Sequence, residues 1–243
     1  MFELSGLPLG RVPRVAVAIG GNVARADLDA AFAGGADLVE ARIDHFQKAE
    51  PAYVLEQIGR LAGLPVLATI RSAQEGGGWK GDDAARRELF EQVLPHVGAV
   101  DIELSSRALV APVIRAAHGA GKLVIGSFHD FEATPAADEL ARLAARGREA
   151  GADIIKVAAH CRDMGDVRRL AALTLAEAER GVVTVGMGPP AMLSRVFFPA
   201  LGSLVTYTFL GAPTAPGQLN LADTLRYLDV FYPERGAPGV SGA

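Results

Sequence analysis

The chain has 243 residues, half of them apolar, and a formal net charge of -4. That length suits one large core better than two conventional domains, and the acidic balance gives no reason to expect a nucleic-acid partner, which would require a basic face. A single cysteine, Cys161, excludes an internal disulfide and suits a reducing compartment.

From Met1 to Gly10 there is neither a charged leader nor an apolar core of signal-peptide length, and no later run approaches a membrane span. A cytoplasmic protein with no membrane partner is expected. Short aliphatic or β-branched runs then recur at intervals of about thirty residues, each followed by a stretch with helical spacing. The expected strands are 14–19, 38–43, 66–70, 99–103, 123–127, 154–158, 182–185 and 204–208. Helices are expected between them, for example over 82–94, 107–118 and 137–150. Eight βα units in a chain of this length predict a (β/α)8 TIM barrel, with residues 1–235 as one catalytic domain and 236–243 as a flexible tail. An open doubly wound sheet competes, but Gly20-Gly21-Asn22 lacks the spacing of a dinucleotide fingerprint.

In such a barrel the active site forms at the C-terminal strand ends. The second run ends Glu40-Ala41-Arg42-Ile43-Asp44-His45, and its alternation turns Glu40, Arg42 and Asp44 to one face, as ligand groups or as an ion-pair network. The third ends at Arg71 and leads into Ala73-Gln74-Glu75-Gly76-Gly77-Gly78-Trp79-Lys80-Gly81, a mobile connection or a lid. The fifth ends Ser127-Phe128-His129-Asp130-Phe131 and places His129 where a barrel presents either a structural histidine or a catalytic base.

The sixth run, Ala152-Asp153-Ile154-Ile155-Lys156-Val157-Ala158-Ala159, holds one of only four lysines against twenty arginines. Lys156 either pairs with a carboxylate, snorkels out, or is a nucleophile whose pKa burial pushes down from about 10.4. Its neighbour His129, one strand away, completes an amine and base pair for carbonyl chemistry. After the seventh run, Arg195 follows Gly186-Met187-Gly188-Pro189-Pro190 and offers a planar fork to an anion or a cap to its own helix. After the eighth, Thr214 and Gln218 offer neutral hydrogen bonds. Carboxylate and phosphate both fit these loops. No pair of histidines has zinc spacing, so no metal is expected.

As a set, these segments resemble the type I 3-dehydroquinate dehydratases, from about Arg14 to Val230. The segments that carry the resemblance are Glu40 to His45, Thr69 to Gly77, Ser127 to Phe131, the Lys156 strand, Met187 to Arg195 and Ala215-Pro216-Gly217-Gln218. The resemblance implies a homodimeric TIM barrel in the shikimate pathway that dehydrates 3-dehydroquinate without cofactor or metal. It further implies that Lys156 forms an imine, His129 is the general base and acid, and Glu75 orients His129 and favours its charged form. Arg195 would clamp the substrate carboxylate. Glu40, Arg42, Arg71, Thr214 and Gln218 would hold the rest of the substrate, and Met187 would pack beside the imine. Nearby Arg71, Arg42 and Arg195 are expected to assist burial in lowering the Lys156 pKa.

The chain departs from the family pattern at Ala18, at Thr214, and over Ala158-Ala159-His160-Cys161. A Schiff-base aldolase for a phosphorylated sugar would share Lys156 but calls for a more developed phosphate nest. A non-enzymatic interaction barrel would have lost the inner polar set, which is intact.

Overall fold

The computed structural model describes residues 2–211 and 217–236; Thr214 and, apart from Gly236, the expected tail lie outside them. Two short strands, β1 (Phe2–Leu4) and β2 (Leu7–Leu9), pair as an antiparallel hairpin. Eight further strands follow: β3 (Arg14–Ile19), β4 (Leu38–Arg42), β5 (Val66–Thr69), β6 (Ala99–Glu103), β7 (Leu123–Asp130), β8 (Ile154–His160), β9 (Val182–Met187) and β10 (Val205–Phe209). They form one parallel sheet in the order β10-β3-β4-β5-β6-β7-β8-β9. Its ends meet through the Val182–Ser203 bridge and a 2.9 Å hydrogen bond from Leu204 N–H to the Val182 carbonyl. The result is the nearly closed barrel that the βα rhythm predicts.

The helices are α1 (Arg25–Ala33), α2 (Pro51–Gly59), α3 (Asp83–Val93), α4 (Arg107–Gly119), α5 (Ala137–Ala150), α6 (Met164–Glu177), α7 (Ser194–Phe197) and α8 (Leu221–Phe231). Helix α5 shows how the sequence makes them. Leu140, Leu143, Ala144 and Gly147 recur at helical spacing and are its buried face, and Gly151 ends it in the left-handed conformation at φ 97°. Among the described residues no helix is long and apolar enough to cross a membrane.

Strand alternation divides the core. Outward side chains such as Val39, Ala41, Val100 and Val124 pack under the first helices, and Ile155, Val157 and Ala159 under the later ones. Inward, Leu38, Leu67, Ala99, Ile154 and Val205 form an apolar floor with Leu4, Leu7 and Leu9 of the hairpin. The hairpin is absent from the sequence expectation because strands of three residues are too short to show an apolar period. Ser5 (φ 50°) and Gly6 (φ 82°) are both left-handed, the geometry of a tight two-residue hairpin turn. Strands β7, β8 and β9 run two or three residues further than expected, because pairing such as Asp130 with Ala159 and His160 with Met187 continues through polar residues. Strand β4 stops at Arg42, and Ile43–His45 turns off as a 3-10 segment.

Leu4 is 1% exposed in this floor. Leu4→Ala should cost about 2–4 kcal/mol of stability, read as a lower urea midpoint with an unchanged slope.

Candidate active site

Above the apolar floor the inward positions become polar. Lys156 on β8, 5% exposed, places Nζ 3.0 Å from Asp101 Oδ2 on β6 and 3.3 Å from Glu40 Oε1 on β4. Thr69 Oγ1 donates to the same Glu40 oxygen at 3.0 Å. Tyr207 on β10 puts its ring face against the ammonium, 4.1 Å from centroid to Nζ. Burial alone would lower the lysine pKa, but the Asp101 and Glu40 carboxylates outweigh it and hold the amine above its ordinary range. This corrects the expectation of a depressed amine. Arg71 does pull downward, as expected, but by less than the two carboxylates push upward.

Arg71, just past the end of β5, is engaged behind that pair. Its guanidinium donates to Asp101 Oδ1 at 2.8 Å and to Ser127 Oγ at 2.8 Å, and lies 3.2 Å from Glu103 Oε1. Glu103 is itself paired with Arg86, whose Nε donates to the Ile70 carbonyl at 2.8 Å. Asp101 meets the burial penalty with the Arg71 and Lys156 cations on either side and is held far below the usual carboxylate range.

His129 on β7 faces the same space. Its side chain is 10% exposed, and Nδ1 lies 3.0 Å from Glu75 Oε2, which also accepts the His129 backbone N–H at 2.9 Å. The other Glu75 oxygen accepts from Ser105 Oγ. Burial, followed by the Arg71 and Lys156 cations, lowers the imidazole well below its ordinary value, so it is neutral at pH 7. Burial raises Glu75 to about 7. Glu75 therefore contacts His129 through both its Nδ1 and its backbone N–H, but in this site it does not make the charged form the resting one.

The glycine-rich loop is tied down. Gly77 N–H donates to the Ser72 carbonyl at 2.8 Å, Trp79 N–H to that of Arg71 at 3.2 Å, and Gly78 N–H to Asp44 Oδ2 at 3.0 Å. Asp44 also takes two bonds from Arg42, at 3.0 and 2.8 Å, so Asp44 braces Arg42 and the loop together. Arg195, on α7, donates through Nε to the Gly217 carbonyl at 3.0 Å and through Nη1 to that of Tyr207 at 3.4 Å. Its Nη2 is buried without a partner, and burial lowers its pKa to about 10. It is not an ordinary helix cap.

One pocket, with about 590 Å³ of space between atoms, is lined by Glu40, Arg42, Arg71, Glu75, His129, Lys156, Met187, Arg195 and Gln218. Every described residue in the expected set is thus brought together. The sequence reading overlooked Asp101, Glu103 and Tyr207. The signal was present: Ala99, Asp101 and Glu103 share one face of an apolar strand, the alternation that singled out Glu40, Arg42 and Asp44. Among the described residues, no group of three or more His, Cys, Asp or Glu side chains is placed to hold a metal.

The barrel and its polar mouth define an enzyme of the (β/α)8 class. The family model for type I 3-dehydroquinase matches residues 17–234. The 3-dehydroquinate dehydratase of Methanosarcina acetivorans is 40% identical over 208 residues, 81% of this chain and 86% of that protein. That of Methanocella arvoryzae is 38% identical over 205 residues, 84% and 92% of the two chains. Among solved structures, the Aquifex aeolicus enzyme is similar at a TM-score of 0.80 and 33% identity, covering 90% of this chain and 99% of that one. The type I enzyme of Clostridium difficile with covalently modified comenic acid matches at 0.86 and 25% identity, covering 96% and 98%. The chain belongs to the type I 3-dehydroquinase family and is a hydro-lyase.

Glu75 has an ordinary value of 4.5 and is raised to about 7, so the folded state holds its proton more tightly than the unfolded state. Its contribution to stability is therefore greatest below pH 4.5 and is lost as pH rises through about 7. The lowered His129 slopes the opposite way and is present in both proteins. Relative to wild type, Glu75→Gln should gain on the order of 2–3 kcal/mol between pH 4.5 and 8 in urea titrations. Asp101→Asn should lower the Lys156 pKa by about 1–3 units in an NMR titration of labelled lysine, because burial then meets one carboxylate instead of two.

Proposed function

We propose that the protein dehydrates 3-dehydroquinate to 3-dehydroshikimate, as a cytoplasmic homodimer serving the shikimate pathway, through an imine on Lys156. The observation that carries this reading is the buried amine of Lys156 lining one pocket with a neutral imidazole, His129, and the partly unpaired guanidinium of Arg195. The names of the relatives supply the substrate.

In this reading Arg195 takes the substrate carboxylate on the fork that Nη2 leaves open, while Glu40, Arg42, Arg71, Thr214 and Gln218 hold its hydroxyls. Lys156 adds to the ring ketone and water leaves, giving a protonated imine. That cation withdraws electrons from the adjacent C–H, and His129 removes the proton, leaving an enamine. The enamine pair then expels the β-hydroxyl, which takes the proton back from His129 and departs as water. Hydrolysis of the imine frees the product and the lysine, so the sum is substrate to product plus one water. Glu75 keeps the imidazole aimed through Nδ1 and stabilises the imidazolium while it exists. Family membership weighs against the aldolase, and the intact polar mouth weighs against a bare interaction module.

Borohydride reduction with 3-dehydroquinate, followed by peptide mass spectrometry, tests the proposal. The adduct should fall on Lys156 and vanish in Lys156→Ala. His129→Ala should lose about 10²–10⁴-fold in turnover and still be trapped. An adduct on another lysine, or none, would remove the imine, and full turnover in His129→Ala would remove the base.

A further inference from the structure

Among the described residues lining the pocket, two carry a buried polar side-chain atom with no hydrogen bond of 3.5 Å or less: Arg195, through Nη2, and Tyr207, whose hydroxyl meets Lys156 only in a longer contact. Arg195 has a use in the reaction above; Tyr207 does not. Its residue is 6% exposed and its ring lies against Lys156 with Nζ 4.1 Å from the centroid. Buried phenols ordinarily find a partner, and phenylalanine would fill the same space without stranding a hydroxyl. The polar groups around it are committed. Asp101 holds Lys156, Arg71 and Ser127; Glu40 holds Lys156 and Thr69; His129 Nδ1 faces Glu75.

We propose that the Tyr207 hydroxyl is a catalytic proton relay for imine formation, passing protons from the Lys156 nitrogen to the ketone oxygen of the substrate. The proposal deepens the imine reading and rests on it. Forming a protonated imine from an ammonium and a ketone moves two protons from nitrogen to oxygen. In the first transfer, as the N–C bond forms and the carbonyl π pair moves onto oxygen, the phenol gives its proton to that oxygen and takes one from nitrogen. In the second, the nitrogen of the carbinolamine gives up another proton through the same phenol. The C–O bond breaks, water leaves, and the nitrogen lone pair closes the C=N bond. A hydroxyl suits this because it donates and accepts at one atom. Burial raises the phenol above its ordinary value, so it keeps its proton between transfers. The relay leaves His129 to the C–H step.

Tyr207→Phe keeps the ring beside Lys156 and removes only the hydroxyl. Rapid-quench borohydride trapping with 3-dehydroquinate should show adduct forming about 100-fold more slowly than in wild type. Substrate deuterated at the carbon that loses its proton should show a smaller isotope effect on kcat in the variant, because imine formation becomes limiting. The urea midpoint should stay level or rise. Equal trapping rates in the two proteins would overturn the relay while leaving the imine in place, and so would a lowered urea midpoint with an unchanged isotope effect. No adduct in wild type would remove the imine itself, and the relay with it.

Discussion

The site depends on a chain of alternating charge threaded through the barrel interior: Lys156, Asp101, Arg71, Glu103 and Arg86, each beside groups of opposite sign. Burying any one of them alone would be costly, and mutual pairing is what makes the set tolerable. It is also why one strand cannot be understood without its neighbours. Asp101 stays ionised because two cations face it, and Lys156 stays an ammonium because two anions face it. His129 stays neutral because the arginine and the lysine that serve Asp101 also bear on the imidazole.

Most of the architecture was legible because the βα rhythm and the apolar alternation are strong local signals. The mouth was legible where polar residues interrupt apolar runs, as at Glu40, Arg42, His129 and Lys156. What escaped was the sign of an electrostatic balance. Arginines near Lys156 could be named from strand position, whereas Asp101 sits in a strand that was placed correctly but whose inward face was not followed. Burial and the arginines alone point to a depressed amine; Asp101, together with Glu40, holds it raised. The hairpin escaped for another reason, since its turn is made by backbone angles at Ser5 and Gly6, not by an apolar period.

The interior is graded along the barrel axis. Its floor is sealed with aliphatic side chains from the hairpin and from strands around the barrel, and the pocket's charged groups gather at the opposite end. Such a division lets the floor supply apolar burial while the mouth holds the stranded atoms of Arg195 and Tyr207 and a carboxylate at Glu75 that is raised to about 7. The glycine loop belongs to the upper half, yet its backbone is braced by Arg71, Ser72 and Asp44, so Glu75 arrives at His129 on a supported segment.

The hairpin that seals the floor is also the first described element. Near the other end of the described residues, Arg235 donates to the carbonyls of Pro13 and Gly35 and pairs with Asp37, at the foot of β3 and β4. Both ends of the described residues are therefore stitched to the underside of the barrel. The described residues thus place the hairpin and Arg235 on the face opposite the mouth that leads to Lys156.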